Sequence, residues 1–303
     1  MPELVEKLAR LKAERNAVIL VHNYQRAEVQ DAADFLGDSL GLSQKASEAD
    51  ADVILFCGVH FMAETAAILC PDKTVLIPDE NAGCPMANMV TVRELKQKKQ
   101  QHPNAEVVCY VNSTAAVKAQ SDICCTSANA MQVVASVPRD KEVLFVPDTS
   151  LGDYVSKALD RPLILWPGFC PTHHRILAEE ISRLKQAHPT AKVTVHPECT
   201  EDVIALADNV ASTTGIINYC RETDAAEFIV GTEIGIAHHL QKENPGKKFH
   251  MLTALADCPN MKLNTIEKMV WALEDMQPQV KVDGSVADRA RQAIERMLAI
   301  PRS

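Results

Sequence analysis

The sequence contains three copies of one internal pattern, and this repeat constrains the fold more than any other feature of the sequence. The segment at 101–108 recurs 86 residues later at 187–194, and the same offset relates Asp122 to Asp208. Internal repeats of this length mark a repeated folding unit. The chain is therefore expected to contain copies of one small domain rather than one large core.

A weaker first copy opens the chain. The apolar run at 18–21 takes the place of the first strand, and a helix and a hydroxyl follow it. In this alignment His22 corresponds to Asn112 at an offset of 90 residues, and Ser39 corresponds to Ser127 at an offset of 88. A further Cys-Pro pair, the last of three, closes the series at Cys258.

Each copy alternates short β-branched runs with helical stretches. Buried strands are predicted at 53–56, 74–77, 142–146, 163–166, 227–230 and 248–252. Alternation of strands and helices implies parallel sheets with right-handed crossovers. The predicted fold class is α/β, with three pseudo-threefold-related αβα domains of three layers around a central active site. The domains are predicted at 14–104, 105–190 and 191–278, with helices at 1–13 and 285–299 packed on the assembly.

One Cys-Pro pair occurs in each copy, at Cys84, Cys170 and Cys258. Ligands of parallel sheets bind beyond the carboxyl ends of the strands, which is where these pairs fall. Three copies packed around one axis would bring the three thiols together. The sequence has no Cys-x-x-Cys pair and no Cys₂His₂ spacing, which argues against zinc ribbons and zinc fingers.

Three converging thiols fit more than one kind of site. A cubane iron–sulfur cluster held by three cysteines leaves one iron available as a Lewis acid, whereas structural zinc usually takes four protein ligands. The sequence favours the cluster. The alternatives are a structural zinc protein, a non-enzymatic iron–sulfur sensor, a [4Fe–4S] hydro-lyase acting on a small polycarboxylate, and a Cys-Pro pair that only ends a strand in each copy.

Other polar residues fall at the same ends of the predicted strands. Hydroxyls near helix N-termini can bind carboxylate or phosphate oxygens, and the candidates are Ser39, Ser127, Ser212 and Thr213. Imidazoles beside an acid or a phenol, as in His196-Pro197-Glu198 and His22-Asn23-Tyr24, suit general acid–base catalysis. Six of the remaining cysteines lie in apolar runs and are expected to be small buried hydrophobes: Cys57, Cys70, Cys109, Cys124, Cys125 and Cys220. Cys199 follows Glu198 and is closer to the predicted pocket, but no repeat copy supports it as a ligand.

Composition excludes several classes of partner. The 31 basic and 40 acidic residues give a net charge of −9, so nucleic acid is not an expected ligand. No apolar stretch approaches the roughly 18 to 20 residues of a membrane span, and the chain opens on a charged amphipathic helix rather than a signal peptide. Ten cysteines without a disulfide framework fit a reducing compartment, so a cytoplasmic protein is expected.

The polar segments in combination resemble the quinolinate synthase family, iron–sulfur enzymes that build the pyridine ring of NAD. The resemblance runs from residue 22 to residue 262. Its motifs are His-Asn-Tyr-Gln at 22–25, Val-Gln-Asp-Ala-Ala-Asp at 29–34, Gly-Asp-Ser-Leu at 37–40, Asn-Ala-Gly-Cys-Pro-Met-Ala at 81–87, Tyr-Val-Asn-Ser at 110–113, Gly-Phe-Cys-Pro-Thr-His at 168–173, His-Pro-Glu-Cys at 196–199 and Ala-Asp-Cys-Pro-Asn-Met-Lys at 256–262.

The resemblance implies a reaction and a cofactor. Iminoaspartate condenses with dihydroxyacetone phosphate to give quinolinate, phosphate and two waters, a transferase reaction of de novo NAD biosynthesis. A [4Fe–4S] cluster held by Cys84, Cys170 and Cys258 acts as the Lewis acid. The expected partners are these two small substrates and an aspartate oxidase or dehydrogenase that supplies the imine.

The resemblance also implies roles for single residues. Proton transfer is assigned to Glu198, Tyr24, Tyr110 and His22. Glu198 is the preferred general base, because the repeat alignment gives the other two copies His22 and Asn112 at its position. Substrate binding is assigned to His22, Ser39, Tyr110, Val111, Asn112, Ser127, His173, His196, Pro197, Glu198, Ser212 and Thr213.

Overall fold

Three four-stranded parallel sheets, one from each repeat, form the body of the protein. In the computed structural model, which describes residues 2–300, the strand order is the same in every sheet. The first sheet has the order β2-β1-β3-β4 and contains β1 (Ala17–His22), β2 (Phe35–Gly37), β3 (Val53–Cys57) and β4 (Thr74–Leu76). The second sheet contains β5 (Glu106–Tyr110), β6 (Ile123–Cys125), β7 (Val143–Val146) and β8 (Ile164–Leu165). Its strand order is β6-β5-β7-β8. The third sheet contains β9 (Lys192–Val195), β10 (Asn209–Val210), β11 (Glu227–Gly231) and β12 (Lys248–Met251). Its strand order is β10-β9-β11-β12.

Helices cover both faces of these sheets. The first repeat contributes α1 (Pro2–Glu14), α2 (Ala27–Asp31), α3 (Ser39–Glu48) and α4 (His60–Leu69). The second contributes α5 (Val92–Gln101), α6 (Ala115–Lys118), α7 (Ala130–Ser136) and α8 (Thr149–Ala158). The third contributes α9 (Ala178–Ala187), α10 (Glu201–Ile204), α11 (Thr213–Glu222) and α12 (Ile236–Glu243), and α13 (Ile266–Asp275) and α14 (Gly284–Leu298) end the described chain.

This architecture confirms the predicted fold class of three αβα units. The central strands β3, β7 and β11 are almost wholly buried, which explains why they read as unbroken apolar runs. The predicted domain boundaries stay a prediction. Helix α13, which those boundaries assign to the third repeat, packs against α1 and β3 of the first sheet, where Ile266, Met269 and Leu273 share a core with Leu8.

An aspartate ties each edge strand to its neighbour in the same way in all three repeats. Asp34, Asp122 and Asp208 each accept a hydrogen bond, 2.8 Å long, from the backbone N–H of Ile19, Val107 and Val193 respectively. These bonds fix which residues correspond between the copies. Three residues after these N–H donors, the equivalent positions are held by His22, Tyr110 and His196. Two residues further along, the equivalent positions are held by Tyr24, Asn112 and Glu198.

The predicted alignment of His22 with Asn112 is therefore wrong by two residues. Strand pairing agrees with the correction, because Val21, Cys109 and Val195 pair with Cys57, Val146 and Gly231. The sequence alignment failed in the weakest copy, where few identities fix the register. Glu198 thus occupies the position of Tyr24 and Asn112, not that of a histidine.

Removing one of these aspartates should cost stability. In Asp208→Ala the Val193 N–H, which lies in a buried strand, loses its acceptor. We expect a loss of about 1 kcal/mol of unfolding free energy, because the site is partly open to water. Urea denaturation measures this loss, and Asp224→Ala, an exposed change in the same domain, serves as the control. Equal stability of the two variants would contradict the prediction.

The last helix bridges two domains. Helix α14 packs on α4 of the first repeat and on α6 and β6 of the second. Arg291 donates through Nε to the Ile68 carbonyl oxygen at 2.9 Å, and Arg296 pairs with Glu106 at 2.7 Å. No helix within residues 2–300 is both long enough and apolar enough to cross a bilayer.

Candidate active site

One cavity lies where the carboxyl ends of the three sheets meet. It encloses about 670 Å³ of atom-free space, and every repeat contributes to its wall. Thirteen of the predicted site residues line it. Ten belong to the substrate and catalytic set: His22, Tyr24, Ser39, Tyr110, Asn112, Ser127, His173, His196, Glu198 and Thr213. The other three are the predicted metal ligands Cys84, Cys170 and Cys258. The threefold repeat thus gathers polar groups that are far apart in sequence.

A short 3-10 turn follows each of the three cavity cysteines. The turns are Met86–Asn88, His173–Arg175 and Met261–Leu263, and each follows a Cys-Pro pair. Backbone N–H groups of each turn hydrogen-bond to the sulfur: those of Met86 and Ala87 to Cys84, that of His173 to Cys170, and those of Asn260 and Met261 to Cys258. Such donors favour a thiolate, the form that ligates metals.

Burial acts against the thiolate in the metal-free protein. It raises the pKa of Cys84 to about 12 and also raises the pKa of Cys170 and Cys258. Charge on one sulfur disfavours charge on the others, since Cys84 interacts with both Cys170 and Cys258. A positively charged metal centre would reverse this balance and hold all three as thiolates.

The thiols are spaced too widely for one ion. Within residues 2–300, Cys170, His173 and Glu198 have ligand atoms within 4.8 Å of one another, but the three cavity cysteines do not form such a group. A single zinc ion requires sulfurs about 2.3 Å from it, and hence within about 4 Å of each other. Three sulfurs that face one cavity, with at least one pair more than 4.8 Å apart, suit a polynuclear centre, so the donor set fits a cluster better than zinc.

The other seven cysteines are buried in the domain cores. Cys199, although next to Glu198, does not line the cavity, and its Sγ lies 3.5 Å from the Gly231 carbonyl oxygen. These thiols pack as small apolar groups.

Glu198 is the centre of the polar network. Its Oε1 accepts hydrogen bonds from Tyr110 Oη at 2.6 Å and Asn112 Nδ2 at 3.3 Å, and its Oε2 lies 2.7 Å from His173 Nδ1. Burial alone would raise the pKa of this carboxyl, but His173 and the Tyr110 hydrogen bond outweigh it and hold the pKa well below the usual range. Glu198 is therefore an ionised carboxylate at neutral pH.

A chain of hydrogen bonds connects Glu198 to Tyr24. His173 Nε2 lies 2.9 Å from Thr232 Oγ1, which lies 2.5 Å from Tyr24 Oη. With Tyr24 donating to Thr232 and Thr232 donating to His173, the remaining His173 N–H points at Glu198. His173 Nδ1 is also 3.1 Å from Cys170 Sγ, so the same imidazole contacts a cavity thiol. The network reaches from one tyrosine through Glu198 to the other.

The two tyrosines of the cavity, His22 and His196 are uncharged. Burial and the Glu198 charge raise the pKa of Tyr24 and Tyr110 well above 10, so both remain phenols. Burial lowers the pKa of His22 to about 4 and that of His196 to about 3, so both are neutral imidazoles at neutral pH. Each accepts an N–H two residues onward at its Nδ1, from Tyr24 at 3.2 Å and from Glu198 at 3.3 Å.

These histidines should make the protein less stable in mild acid. Their folded pKa values lie below the unfolded value of 6.5, so the unfolded chain binds more protons and stability falls as the pH drops below 6.5. At pH 5 each costs about 2 kcal/mol relative to pH 7.5. Urea denaturation of cluster-free protein at both pH values measures the loss.

Substitution isolates the histidine contribution. In His22→Gln or His196→Gln the difference in stability between pH 7.5 and pH 5 should shrink by about 2 kcal/mol. His60→Gln, at a half-exposed position, should leave that difference unchanged. An undiminished difference in both cavity variants would show that neither imidazole is held neutral by burial.

Three hydroxyls at equivalent repeat positions face the cavity: those of Ser39, Ser127 and Thr213. Three other predicted substrate contacts do not line it. Ser212 caps α11 by accepting from the Gly215 N–H, and it faces, with Pro197, a second cavity between α8 and α11. Val111 lines neither cavity; it follows β5 directly, and its side chain packs in the apolar core.

Sequence reasoning missed the polar residues that follow the central strands. Thr232 and Glu233 come directly after β11, and Glu233 is fully buried. Its Oε1 lies 2.8 Å from Lys262 Nζ and accepts the Cys258 N–H at 3.0 Å, so it fixes the third Cys-Pro turn. Their position directly after a predicted strand could have identified them, because ligands of parallel sheets bind beyond the carboxyl ends of the strands.

Three repeated αβα units around a cavity that receives one thiol from each repeat and contains a buried hydrogen-bond network define the class: an α/β protein with three parallel sheets and a candidate metal centre. Comparison with known proteins identifies the family. A family model described as Quinolinate synthetase A protein (NadA) matches residues 6–299.

The most similar relatives include proteins named quinolinate synthase. That of Methanosarcina barkeri is 55% identical over 298 residues, with 98% of both chains covered. That of Geotalea uraniireducens is 54% identical over 300 residues, covering 99% of this chain and 98% of the relative. That of Dehalococcoides mccartyi is 55% identical over 294 residues, covering 97% of each. The chain belongs to the quinolinate synthetase A family, as its motifs predict.

Proposed function

We propose that the protein is a quinolinate synthase that condenses iminoaspartate with dihydroxyacetone phosphate to form quinolinate. The atoms balance with the release of one phosphate and two waters, which makes the reaction a transferase step of NAD biosynthesis. Membership of the family supports the enzyme class. The single observation that carries the proposal is the convergence of three Cys-Pro thiols and the Glu198 network on one cavity.

We assign the three cavity thiols as the ligands of a [4Fe–4S] cluster. The spacing of Cys84, Cys170 and Cys258, and the N–H groups that surround each sulfur, support this donor set. When bound, such a cluster supplies a Lewis-acid iron without a protein ligand.

The hydroxyls of Ser39, Ser127 and Thr213 are proposed to bind carboxylate and phosphate oxygens. They stand at equivalent positions near the first turns of α3, α7 and α11, so their N–H groups face the same space. His196 Nε2 lies 3.2 Å from Ser127 Oγ, which lets a neutral imidazole orient that hydroxyl. His22 holds the position equivalent to His196 in the first repeat and lines the same cavity.

Glu198 is proposed as the base that removes protons during isomerisation and dehydration. It is ionised, buried and held by Tyr110, Asn112 and His173, which is the arrangement of a positioned proton acceptor. Tyr110 and Tyr24 remain protonated, so they serve as proton donors at the two ends of the network. His173 contacts Glu198 through Nδ1 and Thr232 through Nε2, so its imidazole positions both side chains.

A product assay tests the proposed function. The protein is purified without oxygen, its cluster is reconstituted, and iminoaspartate is generated in the assay from aspartate by an oxidase or dehydrogenase. Quinolinate formation that depends on dihydroxyacetone phosphate supports the proposal. A coloured, iron-containing protein that makes no quinolinate would favour the hydro-lyase or the sensor, and a colourless zinc protein would refute the cluster.

The same proposal includes a cytoplasmic location. All ten cysteines are free thiols, and three of them must remain reduced to hold a cluster. An aspartate oxidase or dehydrogenase in that compartment would supply the imine, which decomposes in water and must be used soon after it forms.

A further inference from the structure

We propose a second metal site, for a zinc-like divalent ion, formed by His188, Glu227 and His250 in the third repeat. It lies at the amino-terminal edge of that sheet, at the opposite end of β11 from the cavity. His188 is the C-cap of α9, β11 begins at Glu227, and β12 contains His250. The proposed function does not use these residues.

The three side chains already point at one another. His188 Nδ1 lies 3.2 Å from Glu227 Oε2, and His250 Nε2 lies 3.7 Å from the same oxygen. All three ligand atoms fall within 4.8 Å of each other, and the two imidazole rings stack with centroids 3.8 Å apart. Movements of about 1 Å would bring them to the 2.0–2.2 Å bond lengths of zinc.

One ring nitrogen lacks a hydrogen-bond partner. His250 Nε2 is buried and makes no hydrogen bond, although its neighbours are polar. A buried polar atom without a partner costs free energy, so such an atom aimed at a carboxylate oxygen is an unsatisfied ligand position. A metal ion between the two histidines and Glu227 would satisfy it.

The donor set selects the class of ion. Two imidazoles and one carboxylate suit zinc and the other first-row transition metals that imidazole binds, such as iron, nickel and copper, whereas calcium and magnesium prefer oxygen ligands. Lys248 Nζ occupies the other Glu227 oxygen at 3.0 Å, but its side chain is mostly exposed and can move away. The three protein ligands leave at least one position of the ion open to water.

The second repeat provides an internal control. His102 is the C-cap of α5, and its Nδ1 lies 3.6 Å from Glu142 Oε2. This pair is equivalent to His188 and Glu227 in the third repeat. The pairing of Leu144 with Ile164 matches that of Ile229 with His250. The second repeat therefore has Ile164 where the third has His250, and it lacks the third ligand.

Zinc titration of the cluster-loaded protein tests the site, because the cavity thiols are then already occupied. Isothermal calorimetry should show one saturable zinc per chain in the micromolar range. His250→Gln or His188→Gln should weaken that binding by about tenfold or more, and His102→Gln should leave it unchanged. Ile164→His should add a second zinc, beside His102 and Glu142.

Crystals soaked in zinc locate the ion independently. The anomalous signal that changes across the zinc absorption edge, and not across the iron edge, should lie between His188, Glu227 and His250. Zinc affinity unchanged in both His250→Gln and His188→Gln, or zinc density only elsewhere on the chain, would overturn the proposal. Neither result would bear on quinolinate synthesis, since no proposed catalytic residue is altered.

Discussion

Glu198→Gln is expected to lower the turnover number by about 10² to 10⁴ while leaving iron and sulfide content normal. The amide retains the size of the side chain and one acceptor oxygen, but it cannot take a proton. It also places an NH₂ group opposite Tyr110 Oη or His173 Nδ1, which donate to the carboxylate at 2.6 and 2.7 Å. Initial rates of quinolinate formation and parallel iron and sulfide analyses measure both quantities.

The matched control is Glu201→Gln, three residues away. Glu201 begins α10, is exposed and pairs with Lys157 at 2.6 Å on the surface, so its change should not affect turnover. Full activity of Glu198→Gln with normal cluster content would exclude the base role. Loss of the cluster together with activity would instead assign Glu198 to the support of the Cys170 turn through His173.

Replacing any one of the cavity cysteines by alanine should abolish both the cluster and activity. Each repeat supplies a single thiol, so no neighbouring cysteine can substitute for the one removed. Cys170→Ala also deprives His173 Nδ1 of its sulfur neighbour at 3.1 Å. We expect the iron content to fall to near zero after anaerobic reconstitution, with the brown colour lost and no quinolinate formed.

Cys199→Ala is the control for this change. Its thiol is fully buried and lies outside the cavity, against the Gly231 carbonyl oxygen. It should retain iron, sulfide and quinolinate formation, with a modest loss of stability from the missing sulfur. A Cys199→Ala protein without iron, or a Cys170→Ala protein with a full cluster, would contradict the proposed ligand set.

The repeat made the fold predictable from sequence. Two well-preserved copies carried the strand-helix order, and the apolar runs of β3, β7 and β11 located the central strands. The short edge strands β2, β6 and β10 were missed, because two or three residues carry too little periodicity to be detected. The packing of α13 on the first sheet could not be predicted either, since it depends on tertiary contacts with α1.

The site was predictable where chemistry recurred in every copy. The three Cys-Pro pairs and the hydroxyls of Ser39, Ser127 and Thr213 recur, and the structure places all of them around the cavity. Thr232 and Glu233 have no counterpart of the same chemistry in the first repeat, so no pattern marked them. Ser212 was misleading, because a helix cap and a substrate contact use the same residue types.

Joining three copies in one polypeptide has a consequence for the equivalent positions Tyr24, Asn112 and Glu198. A homotrimer of a single domain would be forced by symmetry to present three identical side chains there. Within one gene each duplicate can diverge separately, so one position became a phenol, one an amide and one a carboxylate. Tandem fusion thus lets a symmetric scaffold hold an asymmetric molecule and treat its two ends differently.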